Sequence, residues 1–322
     1  MSSGASDHDH VRAMDKTLRP SAEMTLAMAL LGTIGWFVVE SGLPAMAVVF
    51  WRCAFGAATL LVICAALGVL RGHFSRRTLG LAILGGLAIV ANWVLLFAAF
   101  PRASISMATA VYNTQPFLLV VFGALFLGEK MTPAKIGWLL VAFAGLWCVV
   151  EARPADIVDA RYRAGIALAL AAAFFWAVAA IIARKLAGTP PHLVALVHVS
   201  VGVIVLAPFQ NAASLPHAMR SWWLMVVMGA VHTGLLYILM YRAIQQLPTH
   251  LQASLSFVYP VAAFVVDGVA FHHAFAPSQI LGAAAIVIAA GGMTLGPLLR
   301  TPGSGRRSAT ARASDPLSET QP

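Results

Sequence analysis

Residues 79–103 read LGLAILGGLAIVANWVLLFAAFPRA, and residues 232–243 read HTGLLYILMYRA. The first stretch holds 22 successive positions without Asp, Glu, Lys or Arg before it meets Pro101-Arg102. A helix rises about 1.5 Å per residue and the bilayer's hydrocarbon is about 30 Å thick, so about 20 apolar residues span it. The second stretch echoes the end of the first. Asn92 precedes Leu95-Leu96 and Arg102-Ala103 as His232 precedes Leu235-Leu236 and Arg242-Ala243, 140 positions on. One membrane span thus reads as a copy of another, and the fold as a duplicated set of them.

Runs of the same kind recur outward from this pair, near 22–42, 44–70, 79–100, 103–127, 133–150, 164–187, 192–210, 220–244, 248–271 and 277–299. Short separators carrying Pro, Gly or charge divide them. The first run is no cleavable signal peptide: it is long, Glu23 lies at its flank, and Glu40-Ser41-Gly42-Leu43-Pro44 reads as a hairpin turn into the next helix. Of the 322 residues, 60% are hydrophobic and 10% charged, with a mean hydropathy of +0.84. A soluble globule carries about 25% charged residues, so that class is excluded, and so is a disordered chain. Cys53, Cys64 and Cys148 lie in apolar runs, which excludes a disulfide scaffold. The polar tails, 1–20 and 300–322, read as disordered, and His8 and His10 in the first as solvated rather than metal-binding.

Further pairs keep the same order along the chain. Trp36 and Trp176 are 140 residues apart; Pro44 stands eight before Arg52, and Pro190 eight before His198. Pro116, Glu129 and Pro133 match Pro260, His273 and Pro277 at a separation of 144. Each half holds five spans, and an odd number inserts the second half upside down. The reading is an all-α integral membrane protein of ten transmembrane helices built as two inverted five-helix repeats. With the N-terminus inside, fifteen Lys and Arg fall on the inner side and five on the outer, while Arg52 lies within a span. Cytoplasmic loops carry that excess, so both termini face the cytoplasm. The net charge of +9 therefore orients the protein. These basic residues are dispersed, with no basic–aromatic platform for nucleic acid.

Pro116-x12-Glu129-x3-Pro133, with Gly128-Glu129-Lys130 closing the fourth span, resembles the pattern of EamA-type carriers in the drug/metabolite transporter superfamily. Trp36 and the Pro44–Arg52 spacing resemble it too. The resemblance covers about residues 22–299, and the second half departs from it at His198 and at His272-His273. It implies a multi-pass carrier of the bacterial inner membrane, commonly an exporter of amino acids or other small metabolites. The domains are then a cytoplasmic tail (1–20), a first EamA-like repeat (21–151), a periplasmic linker (152–163), a second repeat (164–299) and a cytoplasmic tail (300–322).

Ionisable groups inside hydrocarbon are costly and mark candidate sites. Arg52 lies about 12 Å along its helix from Pro44. It either holds an anionic substrate group through its forked donors or is neutralised by Glu40 across the hairpin. His232, whose repeat partner is Asn92, is a proton-coupling candidate because histidine titrates near pH 6.5; the alternative is an interhelical hydrogen bond. Glu40, His198 and Asp267 are the other coupling candidates. Proline frees the carbonyl four residues back, so Pro116 and Pro260 release those of Tyr112 and Ser256. Paired broken helices mark carrier binding sites. Tyr112, Asn113, Gln115, Gln252, Ser256 and Tyr259 then line the chamber, with Asn92 beside them and Trp36 and Trp176 as apolar walls. A bare kink is the rival reading. Gly282, Ala285, Ala289 and Gly292 share one face of the tenth span, which packs within the monomer or against a second copy in a homodimer.

Two inverted halves enclosing a midplane site describe a secondary transporter working by alternating access. No nucleotide-binding loop, H-E-x-x-H or G-x-S-x-G occurs, which argues against ATP hydrolysis and against an intramembrane enzyme. The expectation is a gradient- or exchange-driven carrier of a small molecule, with lipid as its surroundings and no cofactor. The alternative is a channel or structural subunit.

Overall fold

The computed structural model describes residues 3–70, 75–99, 102–103, 108, 111–149, 160–211, 215–271 and 276–299. The described residues are helical and contain no strand. In chain order the helices are α1 (Ser3–Ser41), α2 (Ala45–Ala66), α3 (Arg76–Ala99), α4 (Gln115–Leu127), α5 (Pro133–Val149), α6 (Ala160–Lys185) and α7 (Pro191–Leu206). There follow α8 (Met219–Val227), a π-helical segment (Met228–Leu235), α9 (Leu236–Gln246), α10 (Thr249–Ser256), α11 (Val258–Phe271) and α12 (Pro277–Leu299).

Seven helical stretches are long and apolar enough to cross a membrane: Thr17–Val38, Met46–Ala66, Arg76–Ala99, Ala160–Lys185, Pro191–Phe209, Met219–Gln246 and Thr249–Val266. Three shorter apolar helices, Gln115–Leu127, Pro133–Cys148 and Pro277–Met293, fall on the expected fourth, fifth and tenth runs. The outer surface is apolar as well. Val62, Leu125, Ile204, Leu281 and Ile288 are each more than 60% exposed. Each such side chain left in water forgoes about 1.5–3 kcal/mol, so this surface requires lipid.

The turns follow local chemistry. The expected Gly42-Leu43-Pro44 hairpin is present: α1 stops at Ser41, Gly42 takes φ +66°, and α2 starts after Pro44. Proline opens α5, α7 and α12, where its missing N–H would have had no partner. One expectation differs. Residues 3–20, read as part of a disordered tail, continue α1, and Pro20 lies inside that helix without ending it. From residue 3 to residue 19 the sequence offers no second proline and only one glycine to stop a helix.

Packing follows a pattern between the two halves. Helix α1 lies on α9, α10 and α11, whereas α6 lies on α3 and α4. Helix α2 packs on α7 and on the π segment, and α3 on α7. Helices α4 and α10 are neighbours, as are α5 and α12. The small-residue face of α12 is covered within the chain: a Cβ on Gly292 would stand 2.5 Å from the Trp138 ring of α5. Gly145 of α5 likewise approaches the Gly282 carbonyl.

Candidate functional site

The polar centre is built on α2, α3 and the stretch from the π segment into α9. Arg52 of α2 is only 3% exposed. Its Nε donates to Thr233 Oγ1 at 3.3 Å, and its guanidinium lies over the Trp93 ring at 4.6 Å. Tyr237 and Tyr112 face the same group, and Tyr259 lies beside Tyr112. The rings continue outward: Trp93 meets Tyr237 edge-on, and Tyr237 meets Tyr241. Nη2 of Arg52 has no partner among the described residues. A cation–π contact is worth about 0.5–2 kcal/mol, while burying an uncompensated ion costs several kcal/mol, so this arrangement leaves the positive charge underpaid.

The expected alternative partner of Arg52 is elsewhere. Glu40 accepts from Arg220 of α8, and Ser221 Oγ donates to the Ser41 carbonyl at 2.9 Å. The pairing of Glu40 with Arg52 is thus corrected. Glu40 stands at the very end of α1, where the start of α8 meets it, whereas Arg52 is two turns deeper on α2. Among the described residues no carboxylate forms an ion pair with Arg52.

His232 and Thr233 sit on the π segment, which aims them at different neighbours. Thr33 Oγ1 donates to the Leu30 carbonyl at 2.8 Å and stands 2.6 Å from His232 Nε2. With its one hydrogen committed to Leu30, Thr33 accepts from His232 Nε2–H. The Phe37 ring packs on the imidazole at 4.6 Å. Such π segments recur at functional sites because the extra residue per turn re-aims side chains. Close approach of α2 makes this register possible: a Cβ on Gly229 would lie 2.2 Å from Phe55 Cβ.

A cleft of about 400 Å³ between α1 and α11 is lined by Thr33, Trp36, Phe37, Val265, Val266 and Val269. Trp36 therefore borders open space, but Trp176 is packed into the main core. Asn92 is fully buried, and its amide donates to the Tyr112 hydroxyl at 3.1 Å and the Ala172 carbonyl at 2.8 Å. It ties α3 to α6. His198, at the repeat position of Arg52, bonds the Tyr241 hydroxyl through Nδ1 at 2.6 Å. The side chain of Asp267 lies outside the described residues, as do His272 and His273.

Both proline-bearing helices are broken at equivalent places, 144 residues apart: a turn at residues 113–114 precedes α4, and Phe257 separates α10 from α11. Pro116 falls in the first turn of α4, where a missing N–H costs nothing. Asn113, Gln115, Gln252 and Ser256 are all buried at these breaks. Gln252 spends its amide on the carbonyls of Ile244 (2.9 Å) and Leu247 (2.7 Å), and Ser256 donates back to the Gln252 carbonyl at 2.7 Å. These two thus brace the α9–α10 corner.

At the end of the bundle where α4 stops, Glu129 reaches across to α10. Its carboxylate accepts from the Thr249 amide at 2.9 and 3.1 Å and from Thr249 Oγ1 at 2.7 Å, with His250 Nδ1 4.0 Å away. Partial burial opposes its charge, but the bonds from His250 and Thr249 outweigh that and hold its carboxyl below the ordinary value. Glu23 of α1 pairs with Arg242 of α9 at 3.5 Å.

Sequence reading missed Thr33, Trp93, Thr233, Tyr237 and Tyr241. The spacing Thr233, Tyr237, Tyr241 places three hydroxyls on one helical face and was the available signal.

An apolar exterior around a buried polar centre defines a multi-pass membrane protein, and the comparisons with known proteins give its class. A model of the EamA-like transporter family matches residues 24–151 and 163–295. The chain belongs to that family. It is 28% identical over 297 residues to the uncharacterized transporter YxxF of Bacillus subtilis, covering 91% of this chain and 93% of that one. It is 26% identical to the pseudopaline exporter CntI of Pseudomonas aeruginosa (59% of this chain, 65% of that one). The aromatic amino acid exporter YddG of Ancylobacter novellus is 27% identical (61% and 68%). A solved crystal structure superposes with a TM-score of 0.73 at 21% identity, covering 86% of this chain and 97% of that one, a likeness of fold alone.

Proposed function

We propose that this family member is a secondary carrier that exports small metabolites, such as amino acids or related compounds, across the bacterial inner membrane by alternating access. Ten spans form two inverted five-helix halves, both termini are cytoplasmic, and a gradient or an exchanged solute drives the cycle. The observation that carries this reading is the exchange symmetry of the packing. Helix α1 relates to the π segment, α9, α10 and α11 as α6 relates to α3 and α4, while α2–α7 and α5–α12 pair each helix with its own counterpart. A two-fold relation between the halves accounts for that pattern; five spans per half would put its axis in the membrane plane, and inverted repeats of this kind rock about a midplane site. The paired breaks at residues 113–114 and 257 lie on the same symmetry.

Two ties cross between the halves at the Glu129 end, Glu129 to Thr249 and Glu23 to Arg242. The residues that line the α1–α11 cleft lie nearer the opposite end of α1. These ties support reading the conformation as one closed at the side that carries the basic residues, the cytoplasmic side in this proposal. Names of relatives in two other bacteria add weight to export. Counterflow in proteoliposomes tests the reading: preloaded unlabelled solute should accelerate uptake of labelled solute, with saturation. Linear, non-saturable flux without counterflow would identify a channel.

A further inference from the structure

We propose that the substrate is an amphipathic carboxylate whose anionic group is held by Arg52 and whose apolar part occupies the α1–α11 cleft, with the His232–Thr33 bond as the partition between the two. The proposal rests on the transport reading above and names the substrate class. Arg52 is the anchor. It is almost fully buried, faces no carboxylate among the described residues, and keeps Nη2 unpartnered. Thr233 and Trp93 fix its plane, leaving the unpartnered nitrogen as a directed donor. A guanidinium so fixed suits the flat two-oxygen geometry of a carboxylate.

The remainder of the ligand is set by what adjoins Arg52. Thr233 is next to His232 in the chain, and His232 is bonded to Thr33, which lines the cleft. Beyond Thr33 the walls are Trp36, Phe37 and three valines, with no described charged group. A volume of about 400 Å³ is in the range of small-molecule sites, and these walls favour a ring or branched chain. His232 and Thr33 are each other's partners in the empty state. Rotation of the Thr33 side chain or a shift of α1 against the π segment parts them and connects the compartments.

Isothermal titration of the purified full-length protein in nanodiscs tests the class with three probes: 3-phenylpropionate, its amide 3-phenylpropanamide, and propionate. The phenylpropionate should bind best. Replacing its carboxylate by the amide, or Arg52 by Gln, should weaken it about ten- to hundredfold, the range for a hydrogen-bonded charge. Arg52→Lys, which keeps charge without the fork, should fall between. Val265→Trp, at an exposed position of the cleft, should weaken phenylpropionate and leave propionate unchanged. Equal binding of acid and amide, or of wild type and Arg52→Gln with the fold intact by melting temperature, overturns the proposal, as does absence of binding by all three. Binding as described without counterflow would instead refute the transport reading and leave the ligand class standing.

Discussion

Glu129 gives the sharpest perturbation because its bonds cross between the halves at a point away from the substrate. Its carboxylate accepts both the Thr249 amide and the Thr249 hydroxyl, and its side chain is 17% exposed. Glu129→Gln keeps one accepting oxygen but turns an NH2 donor toward the Thr249 donors. Hydrogen bonds to charged groups contribute about 1.5–3 kcal/mol, and the helix N-terminus adds up to about 1 kcal/mol for an anion. If the tie is absent when that end opens, the substitution shifts the closed-to-open ratio by about ten- to hundredfold. Spin labels at Lys130→Cys and Gln246→Cys, both exposed, report the distance across this end. Glu129→Gln should move population to the longer distance, and Glu129→Asp, which retains charge on a shorter stem, should move it less. An unchanged distance distribution would refute the latch. Its pH dependence also has a sign. A carboxyl held below its ordinary value stabilises the closed end above that value, about 4.3, and loses the effect as pH falls through the lowered one.

Other expectations follow from the centre and its packing. Arg52→Ala should lower flux of an anionic solute at least about tenfold while lowering folded protein yield far less; equal loss of both assigns Arg52 to packing. His232→Gln removes the one imidazole bonded to Thr33 beside the Arg52 centre and should abolish dependence of transport on a pH gradient; unchanged dependence removes His232 from the coupling. Gly229→Ala should drive a methyl into Phe55, costing about 1–3 kcal/mol and lowering the melting temperature, whereas Gly291→Ala, with open space around its Cβ position, should not.

Much of the fold was legible in the sequence. Apolar run length located the helices, since hydropathy over about 20 residues is a strong signal. Proline spacing located both broken helices, because a lost N–H acts locally. The depth of Arg52 was legible too, as rise per residue fixes distance along a helix. Azimuth was not, and the supposed partner Glu40 lies at the helix end with Arg220 instead. Trp36 and Trp176 share a repeat position, yet one borders the cleft and the other the core. Tyr237 and Tyr241 escaped notice because tyrosine is counted with the hydrophobic residues although its hydroxyl is polar, and that of Tyr241 bonds His198. The π register of residues 228–235 leaves no trace in composition, and only the structure shows Gly229 of that segment seated closely on α2.

The central claim is that two inverted halves rock about one chamber. The most direct measurement is a pair of distances taken on the same molecules, one across the Glu129 end and one at the opposite end between Arg102→Cys and Met219→Cys, both exposed and outside the cleft, with and without a bound carboxylate probe. The account requires opposite changes, one distance lengthening in the population where the other shortens. Two distances that lengthen together, or neither of which moves during verified flux, would contradict it.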